Sequence, residues 1–392
     1  MASVKDLGNG KWKVTISAGF DGAGNRKRIY KTIEAKSEPA AQKKANLLEA
    51  EVAKGDYTEP THFTFADYVE VWRKDAKRKL APKTYFRYNE MLDSRIIPNM
   101  GGVKIEKLNP IIIEDFYNTL RDPQKKKNGT AYILSEQTIK HHHRLIAAIM
   151  QTAFRKGIIK ENPCSRVDAP KTKKKELVLY TEEQIAALID TLEGTELKFK
   201  ACTHVALAGG LRLGEIMGLE WSDVNYDKGT VTVARASQYL PGEGIFEKAP
   251  KNDTSKRTVS LPAPVMDMLK QLQHEQKIQR MRLANKWVDS NRLFIKADGR
   301  PMYPNYPSKW FNGFLQDNKL PPLPFHGLRH TSASYLIAAG QDVVAVAARL
   351  GHSNSNTTLS IYAHSFKKRD EESAEKMEGL YTKKGKKDSK AN

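Results

Sequence analysis

The sequence predicts a multidomain α+β chain: a small N-terminal β-sheet-plus-helix domain, an all-α middle domain, and a mainly α C-terminal domain with a small antiparallel sheet. At 392 residues it is too long for one ordinary core. The apolar period starts at two, becomes helical, and returns briefly to two after Trp221. A lysine-rich stretch also interrupts the helical texture midway. These shifts set expected boundaries at 1–58, 59–168, a linker at 169–180, 181–365 and a tail at 366–392.

In the first segment, Trp12, Val14 and Ile16 alternate with Lys13, Thr15 and Ser17, as in a half-buried strand. Asp21 to Asn25 supply a turn. The following R-K-R-I-Y-K-T-I reads as a second and a third strand carrying Arg26, Lys27, Arg28 and Lys31. A helix is expected from about Glu38, with Pro39 in its first turn and Gly55 as its stop. The basic residues are either a solvated hairpin or a β-ribbon face shaped for a DNA groove.

The second segment opens on Thr64-Phe65-Ala66-Asp67, with capping-box spacing, and Phe65, Tyr68, Val69 and Trp72 mark one helical face. Further helices are expected near 83–97, 110–121 and 135–156. Within the last, adjacent His141, His142 and His143 point in different directions and cannot jointly grip one metal; exposure, packing or phosphate contact are the readings left. The linker carries Pro170 and the basic Lys171, Lys173 and Lys174. It reads equally as a charged hinge and as a strap against a DNA backbone.

The third segment starts with another capping box, T-E-E-Q from Thr181, and a helix near 198–208 follows. G-G-L-R-L-G-E then sets Arg212 and Glu215 three apart on one helical face, a spacing shared by ordinary surface pairs. T-V-T-V-A-R-A and R-T-V-S-L-P read as paired strands. Between them Lys251 near a hairpin tip is either solubilising or an acid for a leaving oxygen, with Lys256 and Arg257 as competitors. H-G-L-R-H-T places His326 and Arg329 at i and i+3 where a helix begins, a position whose dipole favours an anion. Gly351-His352-Ser353 ends the next helix, and Tyr362 lies on a short helix beyond.

The formal charge of +20, from 65 Lys and Arg against 45 Asp and Glu, suits a polyanion such as nucleic acid. No apolar signal region opens the chain and no run is long enough to span a bilayer, so a cytoplasmic protein without a membrane partner is expected. The two cysteines, Cys164 and Cys202, fit a reducing compartment, and no cofactor or metal site is apparent. Tyr362, Arg212, Arg329, His326 and His352 together compose a phosphoryl-transfer set: a hydroxyl nucleophile plus donors for the charge that develops on phosphate.

In order and approximate spacing, G-L-R-L-G-E, the hairpin P-K, H-G-L-R-H-T, L-G-H-S and I-Y-A-H resemble the tyrosine recombinases, specifically the integrases of Gram-positive phages and conjugative transposons. The resemblance spans nearly the whole chain. It implies an arm-site-binding domain, a core-binding domain and a catalytic domain, in that order. It also implies that Tyr362 attacks the scissile phosphate, that Arg212, Arg329 and His352 clamp its oxygens, and that His326 exchanges the tyrosine proton. Lys251 would protonate the leaving 5′-oxygen and Glu215 would support the arginine. The hairpin departs from the family's usual P-K-T by reading P-K-N-D-T-S-K-R, which bears on Lys251. The implied partners are double-stranded DNA at core and arm sites, three further copies in a tetramer that the tail helps to assemble, an excisionase and a DNA-bending protein. Competing readings are a chromosome-dimer-resolving recombinase, a type IB topoisomerase and a non-catalytic DNA-binding protein.

Overall fold

The computed structural model describes residues 2–20, 22, 24–54, 63–125, 129–173, 177–248, 256–351, 377–378 and 381. Lys174, Lys251, His352, Tyr362 and most of the tail lie outside the described residues. The chain divides into two compact units, Met1–Lys174 and Lys175–Asn392.

The first unit holds two separate apolar clusters. One lies under the antiparallel sheet β1 (Ser3–Asp6), β2 (Lys11–Phe20) and β3 (Arg26–Glu34), ordered β1-β2-β3 and packed on α1 (Glu38–Ala53). The expected third strand is therefore the short edge at the N-terminus, and R-K-R-I-Y-K-T-I is a single strand. Val14, Ile16 and Ile29 are buried in this cluster. Alternation along β3 divides the basic set. Arg26 and Arg28 share the outer face with Tyr30, opposite Thr15, and Lys13 there sets its ammonium 4.9 Å from the Tyr30 ring centroid. Lys27 and Lys31 occupy the parity of Ile29 and Ile33, the side that meets α1.

The other cluster is helical. Thr64 and Asp67 form the predicted capping box of α2 (Phe65–Lys79), which buries Phe65, Tyr68, Val69 and Trp72. The helix expected near 83–97 is α3 (Pro82–Met91), a π-helical turn (Leu92–Ile96) and α4 (Ile97–Met100). Pro98 explains the widening: it has no N–H for an i−4 bond, and the preceding Ile97 N–H already reaches back five residues to Leu92. After α5 (Pro110–Arg121) comes a two-stranded hairpin, β4 (Gln124–Lys125) with β5 (Ala131–Tyr132), a small strand pair beyond the all-helical expectation. On α6 (Glu136–Arg155) the three histidines diverge as predicted. His142 is buried and its Nδ1 donates to the Thr138 carbonyl at 2.8 Å, His143 Nδ1 meets the Tyr117 hydroxyl at 2.8 Å, and His141 lies beside Gln137.

The second unit begins with α7 (Glu182–Leu192), capped by the Thr181–Gln184 box, then α8 (Leu197–Gly209) and the one-turn α9 (Leu213–Ile216). Strands β6 (Val224–Asn225), β7 (Thr230–Val233), β8 (Ala236–Leu240), β9 (Gly244–Lys248) and β10 (Arg257–Ser260) follow. They form a sheet ordered β10-β7-β6 and a separate β8-β9 hairpin. T-V-T-V-A-R-A is thus split. Arg235 turns out of the strand to bond Asp223 at 2.6 Å and Glu220 at 3.1 Å, while Arg257 pairs with Val233 as the returning strand predicts. Helices α10 (Ala263–Leu283), α11 (Tyr306–Asp317), α12 (Phe325–Ala338) and α13 (Val343–Leu350) complete the unit. Leu188, Val205, Ile216, Val231, Leu269, Phe311 and Leu328 meet in its core, and Ala333, Ile337, Val346 and Leu350 join α12 to α13. Among the described residues no helix is long and apolar enough to cross a membrane.

Candidate active site

Four of the predicted catalytic residues come together in the second unit: Arg212 and Glu215 beside α9, and His326 and Arg329 on α12. The geometry at Arg212 differs from the helical pair expected. Arg212 precedes α9 in extended conformation, φ −73° and ψ 146°, as its N-cap residue. Glu215 folds back to accept from the Arg212 backbone N–H at 2.9 Å and from its Nη1 at 2.7 Å. The carboxylate thereby satisfies an otherwise unpaired helix-start donor and orients the guanidinium at the same time. Arg212 Nη2 donates to the Gly351 carbonyl at 3.1 Å, and its side chain keeps 42% exposure, enough to reach a substrate oxygen.

Arg329 is held differently. It sits one turn into α12, is 1% exposed, and donates through Nη1 to the Gly210 carbonyl at 2.7 Å. Gly210 ends α8 in the left-handed region at φ +62°, and a Cβ there would meet Leu350 Cδ2 at 2.5 Å. Both constraints call for glycine. Gly210→Ala is therefore expected to destabilise the protein by roughly 1–3 kcal/mol, read from the midpoint of chemical denaturation. An unchanged midpoint would mean that the turn relaxes without cost.

His326 lies in the first turn of α12. Its ring meets that of His330 edge-on at 4.8 Å between centroids. Burial, then the charges of Arg329 and Arg212, hold the His326 pKa below the ordinary histidine value, with Glu215 opposing. It is thus a neutral imidazole at neutral pH, ready to take a proton. Burial, then the neighbouring His326 and Arg329, push His330 down to about 4. The helix itself is braced by Tyr180, whose N–H donates to Thr331 Oγ1 at 3.2 Å and whose hydroxyl donates to the Pro321 carbonyl.

Sequence reasoning missed the groups that hold this arrangement. Arg257, weighed only as a rival to Lys251, points its guanidinium into the protein, where Nη2 donates to Glu215 Oε2 at 2.8 Å and Nε to the Arg349 carbonyl at 2.8 Å. Lys256 is exposed. The signals available were Gly209-Gly210 ahead of Arg212, a helix-stop pair, and a lone Arg opening the returning strand. Lys171 and Lys173 are exposed, as both readings of the linker require.

Two family descriptions match the chain: "Phage integrase family" over residues 179–369 and "Phage integrase, N-terminal SAM-like domain" over residues 64–121. The ICEBs1 integrase of Bacillus subtilis is 25% identical over 96% of this chain and 100% of its own length. A XerC-like tyrosine recombinase of Caldanaerobacter subterraneus is 26% identical over 95% and 97%. Among solved structures, the Tn1549 transposon integrase in complex with transposon right end DNA superposes with a TM-score of 0.62 at 21% identity, covering 76% of this chain and 95% of that one. A lambda integrase tetramer bound to a Holliday junction gives 0.55 at 16% identity, covering 91% and 94%. These likenesses agree with the fold described above.

Proposed function

The chain belongs to the phage integrase family of tyrosine recombinases, and from that premise we propose how its residues divide the work of integrating and excising a mobile element. The observation that carries this reading is the convergence of Arg212, Glu215, His326 and Arg329, with the Gly351 carbonyl fixed immediately before His352 in sequence. Tyr362 attacks the scissile phosphorus, the DNA 5′-oxygen leaves, and the phosphodiester is stored as a 3′-phosphotyrosine. His326 takes the tyrosine proton and Lys251 supplies one to the departing oxygen. Arg212, Arg329 and His352 stabilise the pentavalent state through charge-assisted hydrogen bonds. Attack by a 5′-hydroxyl from the second site reverses these steps and reseals the strand without ATP.

In this reading residues 1–58 bind arm sites through the Lys13, Arg26 and Arg28 face, and 59–168 together with the linker Lys171, Lys173 and Lys174 grip the core site. Residues 181–365 cleave, and the 366–392 tail contacts a neighbouring copy in a tetramer. An excisionase and a bending protein set direction. The reaction takes place in the cytoplasm on chromosomal and element DNA. The DNA-bound integrase and the tetramer on a Holliday junction found among the structural relatives support these assignments of DNA and assembly.

A duplex carrying the attachment repeat that flanks the gene, nicked beside the cleavage point, tests the reading. The expected result is a denaturation-resistant protein–DNA adduct, with strand exchange when a second site is supplied. Relaxation of supercoils without exchange would favour a topoisomerase, and binding without adduct a regulator.

A further inference from the structure

Arg257 touches neither the phosphate nor the tyrosine in the chemistry above, yet through Glu215 its position bears on Arg212. It opens β10, six residues after Lys251, with a side chain only 8% exposed. Its fork spans Glu215, with Nη2 to Oε2 at 2.8 Å and Nη1 to Oε1 at 3.3 Å, while Nε holds the Arg349 carbonyl. A Cβ on Gly351 would lie 2.9 Å from Nη1, so the end of α13 closes directly over the guanidinium.

Glu215 explains why such a group is needed. Its side chain is 11% exposed, and a buried carboxylate without strong partners takes up a proton. Burial pushes its pKa up. The hydrogen bonding and charge of Arg257, and after them the backbone and side-chain hydrogen bonds of Arg212, outweigh that effect and hold the carboxyl below the usual range. Only the carboxylate can accept from both the N–H and Nη1 of Arg212. Among the described residues, Arg212 at the cap of α9, Arg257 from β10 and His326 from α12 face Glu215. Arg349 on α13 faces Arg257 in turn.

We propose that Arg257 is a positioning residue for strand cleavage: it keeps Glu215 engaged on Arg212 and fastens β10 to the end of α13, so that the Arg212 guanidinium and the Gly351 carbonyl stay in register. The role rests on the recombinase reading above. It is separable from general stability because it predicts a pH signature. With Gln at 257 the burial of Glu215 remains and its chief opponent is gone, so its pKa rises. A function that requires the carboxylate is present above that pKa and lost as pH falls through it, and the loss therefore begins at higher pH.

The test is single-turnover cleavage of the nicked attachment-site duplex by the full-length protein across the acid limb, with gel-shift binding alongside. Arg257→Gln should cleave about 10²-fold more slowly at neutral pH, the scale of a small misplacement of a reacting group. Its acid limb should move to higher pH while DNA binding holds. Arg257→Lys restores the charge without the fork and should recover part of the rate, with a smaller displacement of the limb. If Arg257→Gln is too unstable to bind DNA, the Lys variant alone decides: an acid limb at the wild-type pH overturns the role. A wild-type limb in the Gln variant, or a loss that Lys does not relieve, also overturns it. A wild-type protein that forms no adduct overturns the recombinase reading and this role with it, whereas a cleaving wild type with indifferent Arg257 variants overturns this role alone.

Discussion

Tyr362→Phe is expected to bind attachment-site DNA as the wild type does and to form no covalent adduct. The substitution removes one oxygen and nothing else, so contacts that position the DNA survive while the attacking atom is gone. Deleting a nucleophile from a working constellation costs on the order of 10⁶-fold in turnover, which places residual cleavage below detection. The outcome also discriminates among hydroxyls, because Tyr381, itself 77% exposed, is a second tyrosine near the C-terminus. Adduct persisting in Tyr362→Phe and vanishing in Tyr381→Phe would transfer the nucleophile there. The measurement is a denaturing gel of the nicked duplex after incubation with each variant.

Arg329→Lys should be the next most damaging change. The guanidinium is 1% exposed and shares its planar fork between the Gly210 carbonyl and, in the proposed chemistry, a phosphate oxygen. An ammonium is a single compact charge that cannot span both, and it is more strongly hydrated, so burying it is costlier. Removing one donor to a developing oxyanion typically costs about 10²–10³ in rate. Cleavage should fall by at least that order, and the thermal midpoint should drop as well, because the Gly210 carbonyl loses its partner in the interior. Wild-type cleavage by Arg329→Lys would show that the buried arginine serves only the fold.

Much of the site was legible in sequence because its chemistry is written in side chains at fixed offsets. His326 and Arg329 fall at i and i+3 on a helix that forms where the pattern placed it, and Arg212 and Glu215 do meet. The backbone that brings the latter pair together was not legible: α9 is one turn long, and an arginine at an N-cap breaks the preference for short polar caps. Gly210 and Gly351 act through carbonyl oxygens, which every residue has and no letter reports. The π turn at Leu92–Ile96 depends on how one proline is accommodated, and helical periodicity is blind to it. Strand parity on β3 could have separated Lys27 and Lys31 from Arg26 and Arg28. Reading the basic run as one surface obscured it, since charge density is a property of composition whereas facing is a property of register.

The two arginines proposed to meet the phosphate are each seated on a main-chain carbonyl of a left-handed glycine, Arg329 on Gly210 and Arg212 on Gly351. A carbonyl neither titrates nor changes identity when a codon does. Each of these two seats is therefore indifferent to acidity in itself, and it fails when the loop that presents the carbonyl rearranges, as a side chain at either left-handed glycine would force. Glu215, by contrast, can take up a proton, which makes the aim of Arg212 sensitive to acid through that carboxylate.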